Sequence, residues 1–457
     1  MSPAPLWRAA AVGATLTLLV ACTADRTGPG AAGSGARIDA RLGGGTSAKE
    51  LRGRPFNQPA RNLTNDETRR FGVGAETFNR HTTAAEGLGP TYNDDSCLSC
   101  HADGIAPVSA DAAQRDSGLP NTGLLLRLSL GNRPDGSAVP EPTYGVQLQT
   151  DAVDGATPEG RLQVTWSAVA GAFEDGSTYE LRLPTVTAVD LRDGPMDPRV
   201  LTSARIAPSM VGLGLLEAIA GTTIVGAADP GDADHDGISG RPNRVTDVLN
   251  GATELGRFGW KASQPSVRQQ TVVALDQDMG VSTPDLPGDR PGDRTAPPEM
   301  LSGALTDMVF YNRTIAVPVA RNVDDAAVRR GSVTFERLGC AACHTVTQHS
   351  GPDQVDGLAD QTIHPYTDLL LHDMGPGLAD GRPDGAATGD EWRTAPLWGL
   401  GHRVEVVGYG AFLHDGRART PTEAVLWHGG EAQGAADRFR GLDRRARDDL
   451  AAFLGSL

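Results

Sequence analysis

Five residues, Cys97-Leu98-Ser99-Cys100-His101, return in type as Cys340-Ala341-Ala342-Cys343-His344. Two thiols three positions apart fall on one side of a single turn, where both can form thioethers to one porphyrin. The histidine that follows is then placed to reach the iron. Such a pair of cysteines also suits a zinc knuckle or a redox dithiol, and two pairs together could build a four-cysteine zinc site. Here histidine follows directly both times, and no second compact pair lies near either one. The pattern therefore predicts two covalently bound c-type haems: Cys97 and Cys100 with His101, and Cys340 and Cys343 with His344. Each histidine is an expected iron ligand.

The remaining features are read around those two sites. A chain of 457 residues can hold two or three domains. With 57 glycines, 31 prolines and only 39% hydrophobic residues, it points to a loop-rich fold in which cofactors fill part of the interior. A formal charge of −16 argues against a nucleic-acid partner, which needs clustered Lys and Arg, and suits a basic redox partner.

The N-terminus reads as an export signal: Arg8, an apolar run from Ala9 to Val20, and a lipobox-like Leu19-Val20-Ala21-Cys22. That run is too short to span a membrane unaided, so residues 1–22 are expected to be a lipoprotein signal with Cys22 as the lipidated residue. A plain secretory signal with a chance cysteine is the alternative. Either way the expected location is outside the cytoplasm, periplasmic or on the cell surface, with the lipid on Cys22 as membrane anchor. Cys22 and the four haem cysteines account for all five cysteines, leaving none for a disulfide or a thiol nucleophile.

Residues 23–60, rich in Gly, Ala, Arg and Ser and including Gly43-Gly44-Gly45, read as a disordered tether. An N-terminal haem domain is expected over 61–321. Within it, Leu124 to Val189 shows short alternating runs such as Leu162, Val164 and Trp166, separated by Asp135-Gly136, Asp154-Gly155 and Asp175-Gly176. These predict β-strands joined by tight turns. A helical stretch is expected from Ile206 to Ile219. Another, Asp324 to Leu338, leads into the second motif as the first helix of a small cytochrome c does. Leu442, Ala446, Leu450, Phe453, Leu454 and Leu457 predict a C-terminal helix packed across it. The second haem domain is thus placed at 322–457, and the fold class is mainly α with a β-rich insertion and two cytochrome c-like haem domains.

Between the motifs, Asp232, Asp234 and Asp236 alternate and are followed by Gly237, like the first half of an EF-hand loop. Position twelve is Asn243 rather than a bidentate Glu, so a calcium ion here would need other oxygens. His235 is expected to face solvent.

A haem with one protein ligand has an open position suited to peroxide or dioxygen chemistry, whereas a second strong ligand makes an electron carrier. For the second haem the downstream candidates are His349, His364, His372, Met374, His402, His414 and His428. The segment Phe412-Leu413-His414-Asp415-Gly416-Arg417, with Thr420 to His428, resembles the C-terminal region of bacterial di-haem cytochrome c peroxidases and the methylamine-utilisation di-haem enzyme. In that resemblance a His-Asp-Gly turn precedes a short helix whose last residue binds the electron-transfer haem; that position is His428 here, where those families carry Met or Tyr.

The wider match is to the di-haem oxidoreductase family, peroxidase-like and sometimes called thiol oxidoreductases, over Gly87 to the end. The resembling stretches are Gly212–Ile219, Asp232–Asn243, Gly256–Ala262, His372–Gly375 and Glu391–Gly401. It implies a di-haem peroxidase-like architecture.

No sixth ligand is assigned to the first haem, and His81 is the competitor to an open site. Peroxide cleavage there wants a proton mover and a polar stabiliser, for which Glu217 and Arg205 are the candidates; pairing of Glu217 within the helices is the alternative. Trp260 is the candidate electron relay between the haems, or else a core residue. The expected function is peroxidase-like oxidoreduction, with electrons from a small cytochrome or cupredoxin donor passing through the C-terminal haem to the N-terminal one, where hydrogen peroxide or another small oxidant is reduced. The alternatives are a non-catalytic electron-transfer cytochrome and a di-haem oxygenase, since extracellular di-haem rubber-cleaving enzymes share this general plan.

Overall fold

Helix α1 (Asn65–Asn79) starts on a capping box, in which the Thr64 hydroxyl accepts from Glu67 N–H and the Glu67 carboxylate accepts from Thr64 N–H. The computed structural model describes residues 38–49, 56–101, 123–287, 297–407 and 410–457, so the signal and Cys22 lie outside the described residues. The further described helices are α2 (Cys97–Cys100), α3 (Leu213–Glu217), α4 (Gly221–Gly226), α5 (Val267–Met279), α6 (Ser302–Thr314), α7 (Ala326–Arg337), α8 (Leu400–Val407), α9 (Pro421–Trp427), α10 (Gln433–Arg440) and α11 (Arg444–Leu454). None is long and apolar enough to cross a membrane.

Two helix crossings frame the molecule, and they follow one plan. In the first, Gly74 of α1 lets α6 approach so closely that a Cβ at 74 would overlap the Asp307 carbonyl oxygen and lie 2.6 Å from Tyr311 Cβ. Arg70 closes the crossing on Asp307 at 2.7 Å, and Phe78 carries the packing to Tyr311 at 5.1 Å and to His101 at 6.2 Å between ring centres.

In the second, Gly331 of α7 meets α11, where a Cβ would overlap the Asp449 carbonyl oxygen and lie 2.6 Å from Phe453 Cβ. Arg330 pairs with Asp449 at 2.7 Å, and Phe335 packs on Phe453 at 5.4 Å and on His344 at 6.3 Å. An arginine, a glycine and a phenylalanine thus deliver each CxxCH histidine to the base of a helix pair. The C-terminal crossing matches the sequence expectation; the N-terminal one is a counterpart that local periodicity did not show.

Among the described residues the strands form six two-stranded antiparallel ladders: β1 (Thr91–Tyr92) with β3 (Asp151–Ala152), β2 (Leu125–Ser129) with β6 (Leu201–Arg205), β4 (Arg161–Ala172) with β5 (Thr178–Val189), β7 (Arg244–Thr246) with β8 (Thr253–Leu255), β9 (Gln348–His349) with β10 (Thr362–Ile363), and β11 (Leu371–Asp373) with β12 (Glu391–Arg393). The expected strands between Leu124 and Val189 are present, and Gly176, at φ 83, supplies the left-handed residue of the β4–β5 turn. Ladders also recur after residue 340, making the chain a mixed α/β, loop-rich fold rather than a mainly α one.

The β4–β5 hairpin reaches from the N-terminal half onto the C-terminal helices. Its tip residue Phe173 packs against Tyr179 and Phe439 at 4.9 and 6.1 Å. Arg447 lies over the Phe173 ring at 3.9 Å and bonds Asp175 at 2.8 Å. Midway, Arg182 donates to the carbonyls of Gly416 and Arg417, both at 3.0 Å.

Two expectations change. Only Leu213–Glu217 of the expected Ile206–Ile219 helix is helical, because Pro208 lacks an N–H and biases Ala207 towards extended backbone, and Gly212 at φ 69 opens the helix late. Residues 38–49, inside the expected tether, are packed: Leu42 is fully buried, and Ala48 pairs with Pro318. One apolar cluster joins Leu42, Phe71, Leu215, Val272 and Tyr311 to Phe335, Leu370, Phe453 and Leu457, so residues on both sides of position 321 share a core.

Candidate haem sites

Each CxxCH segment is wound into one turn that closes on its histidine. Ser96 caps the first turn by accepting from Ser99 N–H, and His101 N–H donates to Cys97 O at 2.9 Å. The second turn starts from Gly339, at φ 81, and His344 N–H donates to Cys340 O at 2.9 Å. Winding the turn brings both cysteines and the histidine to the same side.

The two imidazoles are then fixed in the same way. His101 Nδ1–H donates to Pro208 O at 3.0 Å and His344 Nδ1–H to Tyr366 O at 2.9 Å. A carbonyl only accepts, so Nδ1 holds the proton and Nε2 keeps its lone pair, which is the ligand form of histidine. Burial lowers both pKa values to about 4, with Arg403 adding to the shift at His101 and His428 adding to it at His344, so both rings are neutral.

His428 directly follows α9. The helix is capped by Thr420, whose hydroxyl accepts from Glu423 N–H, and has Pro421 in its first turn. His428 Nδ1–H donates to Ala424 O at 2.6 Å, again leaving Nε2 free, and burial lowers its pKa. The two rings lie close enough for a charge on one to bear on the other. Beside it, the buried Trp427 Nε1 has no hydrogen-bond partner among the described residues. Neutral imidazoles with free Nε2 atoms, paired thiols and an orphaned indole N–H together fit a porphyrin with its acidic side chains.

The surroundings of the two thiol pairs differ in sign. Burial pushes Cys97 up to about 12 and Cys100 well above its ordinary value, with Asp278 and Asp94 adding to both shifts. At the second site Cys343 Sγ lies 3.6 Å from His372 Nδ1. That ring is buried between carboxylates, with Nδ1 bonding Glu431 at 2.7 Å and Nε2 bonding Asp368 at 2.9 Å. Burial would lower its pKa, yet its bonds to Asp368, Cys343 and Glu431 push it up to about 12, so it is an imidazolium.

The other candidates divide. Glu217 accepts from Val267 N–H at 2.7 Å and from Arg313 at 2.5 Å, and Arg313 also holds Asp353. Arg205 belongs to a separate buried network with Ser203, Asp380 and Asp384, joined there by Lys261 and Arg382. The structure does not bring Glu217 and Arg205 together. His81 is half-exposed and bonds Asp95 at 2.7 Å. His349 and His364 bond Thr362 and Thr347, and His414 stacks on Trp392 at 3.7 Å.

Trp260 is half-buried against the cluster of Leu124, Val164, Ile206 and Ala411; its Nε1–H donates to Ile206 O at 2.8 Å and its carbonyl accepts from Arg393 N–H at 2.9 Å. In the acidic loop the grouped carboxylates are Asp229, Asp232 and Asp234, with oxygens within 4.8 Å of one another, while Asp236 accepts from Ile238 N–H. Sequence reasoning missed Pro208 and Tyr366, since any residue supplies a carbonyl. It placed His372 only among the candidate iron ligands and in the quoted HDMG stretch.

Two half-buried, neutral histidines, each beside a thiol pair and each with a free Nε2, define a haem-binding redox protein with two centres. The family model described as "Di-haem oxidoreductase, putative peroxidase" matches residues 169–293 and 289–457, and the chain belongs to that family. Cys97 to His101 lies upstream of the matched segments. No curated protein matches the chain. Among solved structures it is similar to a Kuenenia stuttgartiensis hydrazine synthase pressurised with 20 bar xenon, at 21% identity and a TM-score of 0.24, over 34% of this chain. The match spans 55% of the hydrazine synthase chain, and the likeness is too distant to bear on fold or activity.

Proposed function

We propose that this di-haem oxidoreductase is an exported, c-type, peroxidase-like enzyme in which the C-terminal site relays electrons and the N-terminal site reacts with hydrogen peroxide or another small oxidant. The observation that carries this reading is the inequality of the two histidines. His344 has His428 in its neighbourhood with a free Nε2, whereas the charged group that acts on His101 is Arg403, and the competing His81 is held by Asp95 at the surface. An iron porphyrin with one open position, when bound, supplies peroxide reduction. His101, fixed by Pro208, would hold the open centre, and His344 with His428 would hold the closed one.

Trp260 supports the relay, because it is bonded towards both centres. Ile206, its acceptor, lies two residues before Pro208, the partner of His101. Arg393, its donor, adjoins Trp392, which pairs in register with His372 beside Cys343. Trp392 is the poorer electron donor of the two, since Lys261 Nζ sits 4.4 Å and the Arg205 guanidinium 5.6 Å from its ring centre. A cation over the ring opposes removal of an electron from it. Trp260→Phe is therefore expected to slow electron passage between the centres by roughly tenfold or more, about 1.4 kcal/mol of barrier, and Trp392→Phe by less than about twofold. Flash or stopped-flow reduction kinetics check this; equal effects of the two substitutions would remove Trp260 from the route.

The export and anchor reading adds a small cytochrome or cupredoxin donor and a lipid on Cys22, which mass spectrometry of the membrane fraction tests. Calcium at the acidic loop belongs to the same reading. The decisive experiment is electron paramagnetic resonance of the ferric protein with and without peroxide. One low-spin and one exchangeable high-spin signal are expected. Two low-spin signals indifferent to peroxide would make the protein an electron carrier instead.

A further inference from the structure

The His372 imidazolium lies 3.6 Å from Cys343 Sγ, and its carboxylate partners are held by further bonds. Asp368 spends its other oxygen on Leu370 N–H, at 2.9 Å. Glu431 takes Ser239 Oγ–H at 2.7 Å, Ser239 N–H at 3.0 Å and Asp373 N–H at 3.2 Å besides the ring. Asp368 N–H also donates to Cys343 O at 3.1 Å, and Glu431 lies three residues beyond His428. The cluster therefore ties the CxxCH turn to the segment carrying the opposite histidine. The Nδ1 edge of the ring lies against Cys343 Sγ, with the two carboxylates on its ring nitrogens.

We propose that His372 is a positioning residue that fixes the reduction potential of the second centre, holding a buried positive charge against the Cys343 edge of its haem so that the reduced state is favoured there. This rests on haem attachment at Cys340 and Cys343, part of the reading above. A fixed charge near a redox centre shifts its potential by differential interaction with the two oxidation states, and low local dielectric enlarges that shift. The carboxylates oppose the cation, and Asp368 offers an oxygen within 4.8 Å of the sulfur. Removing the cation or a carboxylate therefore has opposite consequences.

The test is spectroelectrochemical titration of the holoprotein. In His372→Gln the reduced-to-oxidised ratio of the second haem at a fixed potential is expected to fall about tenfold, ~59 mV for a one-electron couple. In Glu431→Gln and Asp368→Asn it is expected to rise. Simple loosening of the site would admit water and move all three variants in one direction, so a common direction overturns the proposal, as do three ratios within about twofold of wild type. Should His372→Gln fail to fold, the two carboxylate variants carry the sign test. A wild-type spectrum lacking the bis-histidine signature would overturn the role of His428 while leaving the sign test on His372 readable. A Cys340–His344 peptide without haem mass would overturn both.

Discussion

Replacing His428 with alanine is expected to convert the second haem from low-spin to high-spin in the ferric protein and to make it accessible to cyanide. His428 is half-buried just after α9, its Nδ1–H is taken up by Ala424 O, and its Nε2 is the atom left for the iron. Alanine keeps the backbone turn and removes that donor. His364→Ala and His349→Ala are the controls, because those rings bond Thr347 and Thr362 in other surroundings, and their spectra are expected to match wild type. A low-spin spectrum that survives His428→Ala would assign the sixth ligand elsewhere.

Gly331→Val is expected to destabilise the chain by about 3 kcal/mol or more, as read from denaturant unfolding of the holoprotein. The added carbons would meet the Asp449 carbonyl oxygen and Phe453 Cβ, and a backbone oxygen inside a packed helix cannot swing aside. Gly74→Val should cost a similar amount at the other crossing, against Asp307 O and Tyr311. Gly72→Ala, on the same helix as Gly74 with nothing within 4 Å of its Cβ position, is expected to gain about 0.5–1 kcal/mol instead. The opposite signs at positions 72 and 74 separate helix propensity from the crossing; a gain at both would show that α1 and α6 do not pack this closely.

The sequence carried the chemistry that is local and left out what depends on distant partners. Cys97, Cys100 and His101 are legible because one turn brings the whole motif together, and α7 is legible because Asp325 caps it and its apolar spacing is regular. The segment from Ile206 was overread as helix because apolar periodicity outweighed Pro208. Glu217 looked catalytic, as an acid ending an apolar helix, until Arg313 and Val267, both remote in sequence, claimed its oxygens. The α1–α6 crossing was hidden for the same reason. Its two helices lie far apart in the chain, and in isolation Gly74 reads as a weak point in a helix rather than as its place of closest approach.

The β4–β5 hairpin bears on what a shortened chain could do. Phe173 lodges between Tyr179 and Phe439 under Arg447, and the hairpin stem grips the carbonyls of Gly416 and Arg417 just ahead of α9. A fragment beginning near residue 322 would retain the helix pair that presents His344, but Phe439 and Arg447 would be left facing water and the turn leading to His428 would lose its clasp. The C-terminal segment is closed over by a hairpin that belongs to the other half of the chain.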